Sequence, residues 1–398
     1  MSLAHGVSYL AIPGPSVTPE RVLRAMHRTS PNIYEGALPA MMPALVASLK
    51  AVARTEHNVT IYITNGHGAW EAALTNTLSR GDRILVPATG RFSHGWAEIA
   101  RVLGVEVDIM DFGKRDPIDM AALTERLKTD DRGYKAVLAV HTDTSTSLRT
   151  DIPAVRAAID AAGHPALLMV DCMASLGCDR FEMDAWGVDV MLAGSQKGLM
   201  TPPGLAFVWF NDKADRARDT ANCVTWAWDW RPRAFPKIFS NYFGGTAPTL
   251  HLHGLREALD MIEEEGLENV WSRHASLARA VWAAAEHWGT EGTLELNVRQ
   301  RELRGHSVTA FRAGSERATA LRRWCEDKAG LTLGIGLGMT EPDDPAWHHF
   351  FRLGHMGHVS AQMILGALAT MEAGMKAVGL PHAPGGVVKA AEVIAAEA

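Results

Sequence analysis

From residue 58 onward the chain repeats one pattern: a short run of apolar or β-branched residues, a glycine-containing turn, then a segment of helical period. Strands are predicted at Val59–Ile63, Arg83–Pro87, Val105–Met110, Ala136–Val140, Ala166–Val170, Val188–Leu192 and Leu205–Phe210. Helices are predicted at Ala69–Leu78, Trp96–Leu103, Ala121–Lys128 and Ile152–Ala162, the first two closed by Gly81 and Gly104. Strands that are apolar throughout must be covered on both faces, and alternation with helices implies a mostly parallel central sheet. Such α/β sheets take ligands beyond the carboxyl ends of their strands, so the loops that follow strands are where chemistry is expected.

The segment Cys223–Gly245 breaks the pattern, being rich in Trp, Arg, Pro and Phe and too long for a tight turn. Helical stretches follow at Pro248–Glu265 and Leu267–Trp288. The remainder, with strands at Ser307–Phe311 and Phe350–Leu353 and helices at Glu316–Ala329 and Val359–Val378, reads as a smaller C-terminal α/β domain. The expected division is an N-terminal arm over residues 1–18, a large domain over 19–270 and a small domain over 271–398, ending in a helix-prone tail from Val387.

Composition removes several classes of function. Among 398 residues, 39 Lys and Arg against 45 Asp and Glu give a net charge of −6 with no long block of either sign, which argues against nucleic acid. Apolar runs such as Ala166–Val170 fall far short of the roughly 20 residues that span a bilayer. The N-terminus lacks the basic and apolar segments of a secretion signal, and 4 cysteines are too sparse for a disulfide framework, so a cytoplasmic protein with reduced thiols is expected. The histidines, including His67, His94, His141, His251, His253, His355 and His358, form no H-E-x-x-H motif, and the adjacent His348 and His349 read as solvated, so no metal is expected.

Asp171 ends one predicted strand, and Gly194-Ser195-Gln196-Lys197-Gly198 follows the next. A carboxylate and a lysine at neighbouring strand ends suit pyridoxal phosphate chemistry. The lysine condenses with the cofactor aldehyde, and the carboxylate keeps the pyridine ring protonated so that it accepts electrons. Arg352, at the end of the strand beginning at Phe350, offers a planar guanidinium able to hold both oxygens of an α-carboxylate.

Read in order, Pro13-Gly14-Pro15, Asn65-Gly66-His67-Gly68-Ala69-Trp70-Glu71, Val170-Asp171, Ser195-Gln196-Lys197-Gly198, Pro202-Pro203-Gly204 and Arg352-Leu353-Gly354-His355-Met356-Gly357 extend this reading. Together they resemble the serine-glyoxylate and alanine-glyoxylate aminotransferases, in the class V branch of the fold-type I pyridoxal phosphate enzymes. The resemblance runs from about residue 10 to about residue 380. It implies a homodimer with active sites shared between subunits, and small amino acid and keto acid substrates.

The resemblance also assigns residues. Lys197 is the cofactor-bearing lysine and proton carrier, Asp171 the partner of the ring nitrogen, and Arg352 the substrate-carboxylate ligand. Gly66 and His67, at a helix N-terminus, and Gln196 match the phosphate cradle. Phe92 matches the aromatic that stacks on the ring, Met173 packs beside it, Ser145 matches a hydroxyl near the ring oxygen, and Thr246 reaches the phosphate of the partner subunit's site. The chain departs from its relatives at His67, where Ser or Thr is usual, at Phe243, where Tyr is usual and Tyr242 lies adjacent, and at Ser147, where Gly is usual.

The implied activity is amino transfer from serine or alanine to glyoxylate. The alternatives are pyruvate as acceptor, including the pyridoxamine-pyruvate type, and aspartate as donor, with Arg231 or Arg233 in the Trp226–Arg233 loop holding its second carboxylate. A cofactor-binding protein without turnover is the reading from a different class, disfavoured by retention of Lys197, Asp171 and Arg352 together.

Overall fold

The computed structural model describes residues 2–397. Its strands are β1 (Tyr9–Ala11), β2 (Asn58–Tyr62), β3 (Arg83–Ala88), β4 (Glu106–Asp111), β5 (Tyr134–Val140), β6 (Leu167–Asp171), β7 (Val190–Gly194), β8 (Ala206–Phe210), β9 (Glu295–Leu296), β10 (Val308–Arg312), β11 (Leu331–Ile335) and β12 (Phe350–Gly354). Seven of them form one sheet in the order β2-β8-β7-β6-β5-β3-β4, parallel except for β8, which runs antiparallel to both of its neighbours. β5 to β8 are buried along almost their whole length because helices cover both faces, as their continuous apolar sequence requires. One face packs Val137, Leu168, Met191 and Phe207 against Leu45, Leu49 and Leu255. The other packs Leu138, Met169, Leu192 and Val208 against Trp70, Ala73 and Trp96.

The remaining strands form a second sheet in the order β1-β11-β12-β10-β9. This sheet is antiparallel except for the β1–β11 pair. The N-terminal arm is therefore not a free extension, since Tyr9–Ala11 is an edge strand of the small sheet. Helix Leu267–Trp288 links the two halves: Val270 packs in the core of the large sheet, whereas Leu277, Val281 and Trp288 pack in the core of the small one.

The strand–helix alternation places most of the main elements within one or two residues of their observed bounds, and helix Leu267–Trp288 matches at both ends, but the helices expected from Ala69 and Trp96 begin three and five residues earlier, at Gly66 and Arg91. What it leaves out has local causes. Helix Ala37–Ala53 contains Pro43, which interrupts the reading of a helix whose buried Leu38, Met42, Leu45, Leu49 and Val52 nonetheless recur every three or four residues. β1 and β9 are too short to show a period, and β11 contains Gly334, where a Cβ would press on Pro13 Cδ at 2.6 Å.

The core of the small domain includes an aromatic stack of Phe311 on β10 against Phe351 on β12, parallel rings 4.6 Å apart and both fully buried. Phe311→Ala is expected to lower stability by roughly 3–5 kcal/mol, read as a fall in the urea midpoint.

Candidate active site

Lys197 lies in the turn after β7, where close packing leaves no room for side chains at Gly198 or at the facing Gly14. A Cβ on Gly198 would collide with the Leu176 carbonyl, and one on Gly14, at φ +94°, would collide with the Lys197 side chain. The N-terminal arm clamps this turn: Ser16 N–H donates to the Gln196 carbonyl (2.8 Å), Ser16 Oγ to the Lys197 carbonyl (2.7 Å), and Lys197 Nζ to the Pro13 carbonyl. Burial pushes the Lys197 amine down to about 8, aided by the positive charge of Arg352 and opposed by the negative charge of Asp171.

Nζ faces a cavity of about 320 Å³ lined by Pro13, Gly14, Asn65, Gly66, His67, Trp70, Phe92, Thr144, Met173, Gln196, Lys197, Leu337 and Arg352. It opens where the loops after the parallel strands converge, as the switch-point rule for α/β sheets requires. Asp171, the last residue of β6, is buried beneath it. Its Oδ1 accepts from Met173 N–H (2.6 Å) and its Oδ2 from Trp70 Nε1–H (2.7 Å). Burial raises the Asp171 carboxyl to about 6, against the lowering effect of these two donors.

At the far side of the cavity helix Gly66–Thr77 begins, with Asn65 Oδ1 accepting from His67 N–H at 3.1 Å. The His67 amide is thus the capped one, and the Gly66 and Gly68 N–H groups have no protein acceptor among the described residues. Gly66 packs tightly here, since a Cβ would meet Met173 Sδ at 3.0 Å and that side chain would have to give way. Burial, and secondarily Arg91, lowers the His67 pKa and favours its neutral form.

Arg352 enters from the small domain. It is 5% exposed, donating from Nε to the Ile335 carbonyl (2.7 Å) and from Nη1 to the Thr144 carbonyl (2.8 Å). No carboxylate lies within ion-pair distance of it among the described residues, and burial lowers its pKa to about 10 against the opposing charge of Asp143. A buried guanidinium with no carboxylate in direct ion-pair contact, lining a cavity, is a site for an incoming carboxylate.

The family described as Aminotransferase class-V matches residues 8–342. The chain is 37% identical over 393 residues to a serine–glyoxylate aminotransferase of Arabidopsis thaliana, covering 97% of this chain and 94% of the relative. It is also 37% identical over 388 residues to an L-aspartate–glyoxylate aminotransferase of Paracoccus denitrificans, covering 96% and 94%. In three dimensions it superimposes on pyridoxamine-pyruvate aminotransferase from Mesorhizobium loti with a TM-score of 0.89 at 25% identity, over 100% of both chains. The chain belongs to the class-V aminotransferases. It is a fold-type I, pyridoxal phosphate-dependent transaminase of the serine- and alanine-glyoxylate group.

The cavity fits the cofactor that this family uses. Besides the amine of Lys197 and the carboxyl of Asp171, it offers open N–H groups at a helix N-terminus, where an anion is favoured. Gln196 Oε1 is buried without a hydrogen-bond partner, a polar atom that the protein alone leaves unsatisfied. Phe92, at the start of helix Arg91–Val102, and Met173 flank the space between these groups.

The cavity thus gathers Gly66, His67, Phe92, Met173, Gln196, Lys197 and Arg352, with Asp171 at its base. Two candidates lie elsewhere. Ser145 does not line the cavity: its hydroxyl donates to Asp143 and accepts from Arg91 N–H, and the adjacent Thr144 faces inward instead. Thr246 is exposed and outside this chain's cavity, while Phe243 beside it is buried. Ser147 adopts φ +61°, the left-handed conformation that favours glycine, and its Oγ accepts from Ala310 N–H (3.2 Å).

The Arg231 and Arg233 subsite is corrected by the structure. Arg231 is ion-paired with Asp215 (3.0 Å) and Asp219 (2.8 Å), and buried Arg233 donates to the Ala227 and Asp229 carbonyls while stacking over Tyr62. Neither lines the cavity. Among the described residues no group of three or more His, Cys, Asp or Glu is arranged to hold a metal. Trp70 and Asp143 carry no role in the sequence reading, yet Trp70 holds Asp171 and Asp143 accepts from Phe92 N–H (3.0 Å). Trp70 was findable, since it lies one helical turn after Gly66 and so shares its face.

The lowered amine sets a pH dependence. Lys197 is the reactive neutral amine above about 8, so borohydride trapping of pyridoxal phosphate on the apoprotein is expected to rise through that pH, with the adduct mapped to Lys197. Arg352→Gln removes a positive charge that disfavours the ammonium form, so its midpoint is expected at higher pH.

Proposed function

We propose that the enzyme transfers the amino group of a small neutral amino acid, serine or alanine, to glyoxylate in two half-reactions. The observation that carries this reading is the cation count of the cavity: Lys197 and Arg352 are the only cationic side chains lining it among the described residues, with neutral His67 opposite. One guanidinium matches one α-carboxylate. The rest of the wall near the donor side chain is apolar or uncharged, from Phe92, Trp70, Met173, Leu337 and Thr144. A donor with a second carboxylate would place that charge against this surface without a partner.

Bound pyridoxal phosphate supplies an aldehyde that condenses with amines and a cationic ring that takes up the electron pair left when Cα loses its proton. Arg352 holds the donor carboxylate bidentately and so sets the direction of the Cα–H bond. Lys197 Nζ, near neutrality and positioned by the arm, takes the Cα proton and later returns it, as base and then acid. Asp171 holds a negative charge at the base of the cavity, where positive charge on the ring needs it. The buried wall excludes water from the proton transfer. Glyoxylate enters the second half-reaction with its carboxylate on Arg352.

We further assign Thr246 to the site of a second copy of the chain. Its loop lies outside this chain's own cavity, and Phe235 and Ile238 nearby are 56% and 64% exposed. Pyruvate as acceptor uses the same carboxylate contact and remains the alternative for the second half-reaction. Against free pyridoxamine as substrate stands the phosphate-end constellation of Gly66, Gly68 and Gln196, which a phosphate-free ligand leaves unpartnered.

Single half-reactions with a panel of donors, followed by loss of cofactor absorbance, test the reading. Serine and alanine are expected to react with a kcat/KM at least tenfold above aspartate, and a preference for aspartate would overturn it. Arg352→Gln is expected to raise KM for donor and acceptor alike by about 100-fold, the effect of losing a charge-assisted bidentate contact of roughly 3 kcal/mol. Arg231→Ala is expected to leave the aspartate-to-serine ratio unchanged, because its guanidinium is held by Asp215 and Asp219.

A further inference from the structure

We propose that Trp70 is a positioning residue that, together with the Met173 amide, keeps Asp171 ionised and fixes the plane of its carboxylate. The inference rests on the pyridoxal phosphate reading of the site and goes beyond it by assigning the residue that makes Asp171 effective. Trp70 lies on helix Gly66–Thr77 and is 2% exposed. Its indole is packed from three sides: Trp96 stacks on it at 6.1 Å and 13°, His67 meets it edge-on at 4.9 Å, and Phe92 lies tilted at 6.2 Å. A ring held in this way has one orientation available, and in it Nε1–H points at Asp171 Oδ2, 2.7 Å away.

The chemistry of the two donors gives the contact its meaning. An indole N–H and a backbone N–H donate and cannot accept, so neither can receive a hydrogen bond from a protonated carboxyl. Each oxygen of Asp171 faces one such donor, at 2.6 and 2.7 Å, and both contacts therefore favour the carboxylate. Burial works in the opposite direction, and Asp143 adds a like charge. Since each carboxylate oxygen accepts more than one hydrogen bond, fixing the plane leaves lone pairs directed toward the cavity. The helix that supplies the open N–H groups of Gly66 and Gly68 thus also supplies, one turn later, the donor that controls the acid at the other end of the cofactor space.

Trp70→Phe keeps an aromatic ring and removes the donor. With the protein loaded with pyridoxal phosphate labelled with ¹⁵N in the ring, the nitrogen resonance reports ring protonation directly. The wild type is expected to show a protonated ring nitrogen at pH 8, and Trp70→Phe a resonance shifted toward neutral pyridine, with the dissociation constant for pyridoxal phosphate raised about tenfold. Should Trp70→Phe not fold, Trp70→benzothienylalanine keeps the outline of the indole and removes only the N–H. A weaker dissociation constant with an unchanged ¹⁵N resonance would mean that Trp70 is packing alone and would overturn the proposal. Asp171→Asn separates the two levels. If it leaves the resonance unchanged, the Asp171 assignment itself fails; if it shifts the resonance while the Trp70 variants do not, only the role of Trp70 falls.

Discussion

The site depends on holding one amine out of water without neutralising it in a salt bridge. Lys197 has Asp171 near enough to favour its cationic form, yet its direct partner is the neutral Pro13 carbonyl, and burial together with Arg352 outweighs the carboxylate. An ion pair at this position would have fixed the ammonium form and removed the nucleophile. The packing that makes the burial possible is steric. Gly14 and Gly198 allow the arm and the segment around Leu176 to approach the lysine turn closely enough to exclude solvent. A side chain at either position would open the site before it altered any charge.

That arrangement also explains why the small sheet is needed. β1 is part of it, and the same arm continues through Ile12 and Pro13 to reach Lys197, so the strand pairing of one domain positions the lysine of the other. A Cβ on Gly354, at the end of β12, would collide with the Ile12 carbonyl, which locks the arm against the strand that carries Arg352. Arg352 in turn reaches back to the Thr144 carbonyl of the large domain. A second tie lies deeper, where buried Asp179 accepts from His306 N–H (2.9 Å) and from Thr142 Oγ1 (3.1 Å), and His355 Nδ1 sits 2.9 Å from the His306 carbonyl. Lysine and arginine are therefore held in register by buried hydrogen bonds from their own side chains to backbone carbonyls, which salt screens less than it does surface ion pairs.

How much of this could be read beforehand follows from the range over which each signal acts. Continuous apolar runs and glycine stops are local, so the strands from β2 to β8 and the order of the loops after them were legible. Asp171 and Lys197 were legible because the ends of adjacent parallel strands are neighbours in space. Which of Thr144 and Ser145 faces the cavity has no periodic signal in an irregular loop; Thr144 lines it, and the Ser145 hydroxyl is drawn to Asp143. Arg231 and Arg233 resembled ligands because a cation in an irregular loop carries no sign of its partners. Asp215 lies on the preceding helix and Asp219 in the turn after it, and only folding brings them across. Trp70 was visible as part of a motif, but its bond to Asp171 spans 101 residues and two elements.

The same geometry links substrate binding to proton transfer. In the absence of a bound carboxylate, the charge of Arg352, which Asp143 offsets only in part, depresses the Lys197 amine. A carboxylate seated on Arg352 cancels that charge, and the depression it caused is lifted. Lys197 thus has a lower proton affinity while the carboxylate subsite is empty, the state in which a neutral amine would have to be available to the incoming cofactor aldehyde. Its proton affinity is higher once a donor is bound, when a base is needed at Cα. Burial of both groups in one low-dielectric cavity lets a single guanidinium serve both states, since in water the two charges would be screened from one another.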